Sequence, residues 1–383
     1  MSARWRHLLN DGVQTSDDAV FTLTLPNRGK LHALLVKVQC TNGATSGRGV
    51  TILDALDDIQ ILGDGSEVLY SLIPEETEKW HETLFGKELS MVQTEAAAGV
   101  QEGVFPLYFG RQLYDSEIYL PLDRFTDVEV RLSFSPNIDA TVGFATGTFT
   151  IDVQALITPD NVPLAYLGTF VLRRIKQFTS AASGDDQTEI FDNTIIRAIG
   201  IYGYEAAIAE GVDLTRVRFE DTAEGIVLAD WDWDDFIHFN REMFGAEITH
   251  YFDTLTNDAD TLDTRINEIL GASIDIIVAI ELVADMALYN HLTAIAGDRV
   301  SIGAAILDIV AGSEALTLDT TIRQRLITVR GKSPSGFGLI PYMYDDSPAG
   351  YLNTADWGQL EVILTQGGAG ADVRLSIQEL RQF

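Results

Sequence analysis

Cysteine is almost missing from this chain. Cys40 stands alone, which excludes an intramolecular disulfide and a cysteine-held zinc site, so stability must come from packing and assembly. Lysine is nearly as scarce: six Lys stand beside twenty Arg, and these 26 bases face 57 acids for a net charge of −31. So negative a surface repels phosphates, which argues against direct binding of nucleic acid. Asp outnumbers Glu 35 to 22. Acid excess with few lysines suits a protein kept soluble in concentrated salt, where self-repulsion is screened; an acidic protein of ordinary habitat is the plainer alternative. Long apolar runs are lacking too. The most apolar stretch, 274–287, is cut by Asp275, Glu281 and Asp285, so no transmembrane helix is expected. The first residues show neither the apolar core nor the cleavage site of a signal peptide.

Chemical motifs are equally sparse. His7, His32, His81, His238, His250 and His291 form no His-x-x-x-His pair, and surface or helix-face positions are expected for them. The run Asp230-Trp231-Asp232-Trp233-Asp234-Asp235 has the look of a cation site, but it stands at a helix entrance, where capping of free N–H groups is the stronger reading and a weak Ca²⁺ contact the lesser one. Gly331-Lys332-Ser333 resembles the end of a phosphate loop, yet position 326 is Leu where glycine is required. No Gly-x-Ser-x-Gly elbow occurs, and Cys40 has no evident histidine partner. No catalytic, cofactor or metal residue is therefore expected.

What the chain does contain is itself, twice. Ser66-Glu67-Val68-Leu69-Tyr70, then a helix-like run to Leu84-Phe85-Gly86, recurs about 159 residues later as Gly225-Ile226-Val227-Leu228-Ala229 and a run to Met243-Phe244-Gly245. Upstream, Asp17-Asp18 before Phe21 matches Asp185-Asp186 before Ile190; downstream, the strand from Val128 matches that from Leu360. A period this long, present twice, is too large for a solenoid and indicates two copies of one domain. Most segments alternate apolar and polar residues, as in Val128-Glu129-Val130-Arg131-Leu132, Phe149-Thr150-Ile151-Asp152-Val153 and Val373-Arg374-Leu375-Ser376-Ile377. These are strands with one buried and one wet face. Turn-forming clusters separate them at 41–49, 136–147 and 367–372. Two helices occupy matching places. One starts at Pro74 with Glu75 and Glu76 in its first turn and stops before Gly86; the other starts near Asp234-Asp235 and stops before Gly245. Trp80 and Phe239 fall at equivalent positions and are expected core anchors.

The halves meet near Thr158-Pro159-Asp160-Asn161-Val162-Pro163, giving domains 1–158 and 159–383. They differ in one place. After the helix, the second half carries a long insertion at about 248–339, with apolar runs that must pack on themselves or on neighbouring chains. The N-terminal Arg4-Trp5-Arg6-His7 could lie on an anionic membrane, but Leu172-Arg173-Arg174-Ile175-Lys176 opens the second half in the same manner, so a repeated opening strand is the alternative.

Two stretches carry a family resemblance. Val104-Phe105-Pro106-Leu107-Tyr108-Phe109, followed by Tyr119-Leu120-Pro121-Leu122 and then Phe125-Thr126-Asp127-Val128-Glu129-Val130, resembles the first jelly roll of the double jelly-roll major capsid proteins of tailless internal-membrane phages, adenoviruses and large eukaryotic DNA viruses. Pro348-Ala349-Gly350-Tyr351-Leu352-Asn353 is similar to the Pro-x-Gly-x-Leu-Asn turn of that family's second half. Pro121 should fix the backbone between two leucines, and Pro348 and Gly350 should supply fixed and positive φ to a tight turn.

The expected fold is all-β: two tandem antiparallel eight-stranded jelly rolls with short helices. The resemblance implies a structural, non-enzymatic protein without cofactors. It would form homotrimers of pseudo-hexagonal outline that tile an icosahedral shell, made in the host cytoplasm and resident in the virion. Partners would be neighbouring capsomers, minor capsid or vertex proteins and, in some relatives, an internal membrane. The alternatives on the same fold are a glycosidase acting on glycoproteins, with carboxylates between the domains, or a carbohydrate-binding protein.

Overall fold

The computed structural model describes residues 3–14, 19–44, 51–94, 97–135, 143–204, 211–245, 247–254, 261–263, 273–282, 286–295, 299–302, 305–309, 315–318, 324–332, 336–343 and 347–383, with backbone alone over 9–14, 204 and 247–332. Alternating burial drives the strands. Val128–Phe134 and Phe149–Thr158 each bury every second residue at their starts, as a half-buried sheet requires.

In chain order the first half has β1 (Arg4–Gln14), β2 (Ala19–Thr24), β3 (Lys30–Thr41), β4 (Leu56–Gly63), β5 (Glu67–Leu72), helix α1 (Pro74–Phe85), β6 (Ser90–Val92), β7 (Val100–Tyr108), β8 (Leu120–Pro121), β9 (Val128–Phe134) and β10 (Phe149–Thr158). The second half begins with β11 (Thr169–Thr179), β12 (Gly184–Glu189), β13 (Ile195–Tyr204), β14 (Leu214–Asp221), β15 (Ile226–Asp232) and helix α2 (Trp233–Phe244). Eight strands of the insertion follow: β16 (Glu247–Thr254), β17 (Thr261–Asp263), β18 (Ser273–Leu282), β19 (Met286–Ile295), β20 (Arg299–Ile302), β21 (Ala305–Ile309), β22 (Ala315–Leu318) and β23 (Gln324–Lys332). The half closes with β24 (Phe337–Pro341), β25 (Leu352–Asn353), β26 (Leu360–Gln366) and β27 (Asp372–Arg381).

Two sheets carry each half, in the same order both times. The first half pairs β1-β10-β3-β7 in one sheet and β2-β9-β4-β5 in the other; the second pairs β11-β27-β13-β24 and β12-β26-β14-β15. Counting eight main strands per half, both follow the order first–eighth–third–sixth and second–seventh–fourth–fifth, which is the jelly roll. The antiparallel sandwiches expected from the alternating pattern, and the jelly rolls implied by the resemblance, are therefore present. One departure matters. β5 and β11 pair in parallel, Tyr70 opposite Leu172 and Ser71 opposite Arg173, so a sheet of each half fuses into one continuous surface across the junction.

Among the described residues, the strands of the insertion pair with one another, as β16-β23-β18-β19 and β17-β22-β21-β20. None enters the jelly-roll sheets, although Phe337–Pro341, inside the stretch expected to belong to the excursion, returns as β24 beside β13. Among the described residues no helix is long and apolar enough to cross a membrane.

Local expectations fare unevenly. Pro74 opens α1, and Gly86 closes it in the left-handed region with φ 60°, its N–H donating to the Glu82 carbonyl at 2.8 Å. Gly245 instead has φ −62°, and it is glycine because a Cβ there would sit 2.0 Å from the Arg241 carbonyl oxygen. Gly350 does not take a positive φ; it lies in a 3₁₀ turn whose N–H donates to Ser347 at 2.9 Å. The segment at 158–163 is tied down: Asp160 accepts from the Gly29 N–H at 2.8 Å, and Lys30 donates to the Val162 carbonyl at 2.7 Å.

Candidate functional site

The densest constellation of charged and aromatic side chains lies where the halves meet. α1 presses its face onto the outer side of β13 and β27. Trp80, 2 % exposed, donates from Nε1 to Ser376 Oγ at 2.8 Å and meets Phe337 edge-on at 5.9 Å. Position 200 is glycine for that reason, since a Cβ there would lie 2.6 Å from the indole ring. β27 is consequently buried on both faces, its outward Arg374, Ser376 and Gln378 included.

Around this anchor, acids of the first half meet arginines of the second. Glu76 faces Arg174 at 3.5 Å, Glu75 faces Arg374 at 3.5 Å and accepts from Tyr202 Oη at 3.3 Å, and Glu67 pairs with Arg381. Arg173 and Arg381 also hold the fully buried Glu379, at 2.6 and 3.1 Å. Burial raises the Glu76 carboxyl to about 7 against the pull of Arg174 and Arg374. Burial lowers His81, on the same helix, to about 4. The arrangement is adhesive. Glu67, Glu75, Glu76 and Glu379 are each matched to a guanidinium group.

The second helix holds the same place in its own half but lacks such a cover. Phe236 packs on the opposite face of β24, where a Cβ on Gly338 would meet its ring at 2.3 Å, and buried Asn240 accepts the Leu339 N–H at 2.7 Å, closing that sheet's edge. Phe239, expected as an anchor equivalent to Trp80, is only half-buried and stacks on Trp231 at 5.4 Å. The anchors of α2 are Trp233, Phe236 and Ile237 instead.

The acidic run at 230–235 divides its roles. Asp230 forms a two-pronged pair with Arg216, both contacts at 2.6 Å. Asp232 is the residue before α2 but makes no side-chain cap bond, so the expected capping reduces to Asp234 and Asp235 beside the positive helix end. Among the described residues no group of three or more His, Cys, Asp or Glu side chains could hold a metal ion. His81 lies on a face of α1, buried there, while His32 is interior on strand β3, contrary to the surface or helix-face expectation, its Nε2 2.8 Å from Thr158 Oγ1. His7 and His238 are exposed; the side chains of His250 and His291, and the Gly331-Lys332-Ser333 stretch, lie outside the described residues. Arg4-Trp5-Arg6-His7 is the opening strand β1, paired with β10 as β11 is with β27, which is the repeated-strand alternative.

No family model and no curated protein matches the sequence. Solved structures do match the fold. The chain is similar to the STIV MCP, with 8 % identity, 99 % of this chain and 97 % of that one covered, and a TM-score of 0.59. It is likewise similar to a chain in the atomic structure of Sulfolobus Turreted Icosahedral Virus, with 9 % identity, 99 % and 91 % coverage and a TM-score of 0.58. Major capsid protein P2 from Bacteriophage PM2 matches at 10 % identity, 99 % and 98 % coverage and a TM-score of 0.43.

Proposed function

We propose that this chain, which has the double jelly-roll fold of viral major capsid proteins, is itself the building block of a viral shell. The observation that carries the reading is the internal repetition: two jelly rolls of the same strand order, fused edge to edge through β5 and β11. One polypeptide then presents two like sectors, and three copies close a ring of six around a threefold axis. The domains are proposed as 1–158 and 159–383. Trimers of this outline tile an icosahedral surface through their edges, with neighbouring capsomers and vertex proteins as partners. The role needs complementary surfaces and no catalytic constellation, in keeping with the paired carboxylates at the junction.

The insertion is proposed to sit at the solvent-facing end of the second jelly roll or at the crown of the trimer. It leaves from α2 and returns at β24, both at one end of that sandwich, and its sheets are its own. The acid excess suits assembly in concentrated salt. Light scattering at high salt should give about three times the chain mass of 42.1 kDa, or a large shell. A clean monomer across salt and protein concentration would remove the capsid reading.

A further inference from the structure

Each half has one free sheet edge that its twin has already used. Inside the chain, the edge strand β5 and helix α1 receive β11. Among the described residues the matching strand of the second half, β15, ends its sheet with β14 on one side alone, and β1, the match of β11, ends the first half's sheet beside β10 likewise. We infer that β15 and α2 of one copy take up β1 of a second copy, repeating between chains the junction that the chain builds within itself. The inference rests on the trimeric reading above and names its contact surface.

Three observations support it. The first is burial. Glu76, Trp80 and Thr83 of α1 are buried, the first two against the second half, whereas Asp235, Phe239 and Glu242, which stand at the same helical positions of α2, are exposed or half-exposed. The same face of one helix is covered and of the other is bare. The second is apolar surface. At matching positions, Glu67 and Val68 of β5 are half-buried, but Ile226 and Val227 of β15 are each 44 % exposed; Met243 of α2 is likewise 44 % exposed, and Trp5 of β1 is 40 % exposed. Exposed apolar side chains along an unpaired edge strand invite another strand.

The third is charge. The internal junction sets acids of the fifth strand and its helix against arginines carried by the second half, Arg174 on the opening strand among them. The free surfaces keep that polarity: Asp232, Asp234 and Asp235 are exposed at the start of α2, and Arg4, Arg6 and His7 are exposed on β1. In a chain with 57 acids and 26 bases, two arginines on one edge strand are a local exception, placed where the repeated geometry calls for cations. The contact is head-to-tail, and with three copies it closes.

A charge-swap series tests this by sedimentation in moderate salt. Arg4→Glu with Arg6→Glu, and separately Asp234→Arg with Asp235→Arg, should each weaken the trimer about tenfold or more; the four changes together should bring the affinity back toward that of the parent chain. A trimer indifferent to both pairs, or a fourfold variant no tighter than the weaker pair, would overturn the assigned surface and leave the capsid reading standing. A parent chain that never trimerises would overturn both. Should a charge variant fail to fold, Trp5→Cys with Val227→Cys serves instead, because the native Cys40 is buried. Mild oxidation should give covalent dimers and trimers; a product that stays monomeric while the untreated chain trimerises rules the contact out.

Discussion

At the scale of single residues, the junction depends on a few close fits. Gly200 has no room for a methyl group against Trp80, so Gly200→Ala should cost about 1–3 kcal/mol in denaturant unfolding, and Trp80→Ala about 3–5 kcal/mol. The buried histidines set a pH limit. His32 and His81 are both lowered from 6.5 to about 4 by burial. The unfolded chain therefore binds their protons first, and the stability they support, whole above pH 6.5, is lost as pH falls towards 4. For each the loss should reach on the order of 3 kcal/mol. In urea titrations His81→Gln should flatten the slope between pH 6.5 and 4; a slope equal to that of the parent would show that His81 is protonated within the fold. Asp115 is lowered too, but by its partners. Burial alone would raise it, but Arg111 and the N–H groups of Arg111, Glu117 and Ile118 bring it to about 2. Little of this was legible beforehand. A histidine in a strand or helix gives no periodic signal of which way it points, and Trp80 reads as an anchor from its place in the repeat, opposite Phe239.

At the scale of elements, the alternating stretches became strands because burying one face leaves a period of two in the sequence. The pattern at 128–134 and 372–381 shows this. In β27, however, the polar members are buried too, since α1 and the first half cover them, and no local pattern announces a cover that comes from elsewhere in the chain. Short strands such as Leu120–Pro121 and Leu352–Asn353 are too brief to leave a period. The parallel contact of β5 with β11 rests on two residue pairs and was equally hidden. The same limit explains Phe239, whose position matches Trp80 but whose burial depends on a neighbour. The insertion is the element most open to surgery. Because its described strands pair among themselves, replacing residues 248–332 by a short linker should leave both jelly rolls folded while weakening the proposed trimer. Circular dichroism and sedimentation would check this, and a collapse of the strand signal would mean that the second sandwich needs the insertion to fold.

At the scale of the whole molecule, charge dominates. With −31 per chain, repulsion within and between copies grows as the Debye length lengthens from about 3 Å at 1 M salt to about 10 Å at 0.1 M. The melting temperature should rise with NaCl across that range in calorimetry. A flat curve would dissociate the acidic composition from any saline habitat and leave the fold untouched. The duplication, by contrast, was plain in the sequence, because the helices and their flanking strands recur in order.

β27 reaches its place last, yet it lies between β11 and β13, at the centre of its sheet. While a ribosome is still making the second half, Thr169 at the start of β11 must wait roughly 200 residues for its partner Arg381. The first half has no such debt by then, since β10 has already been made. Its finished edge, β5, is the one strand in the described sheets beside which β11 can pair in the meantime. A finished first half would thus offer the late one a template during synthesis, and chains stalled before β27 would carry an open central cleft prone to aggregation.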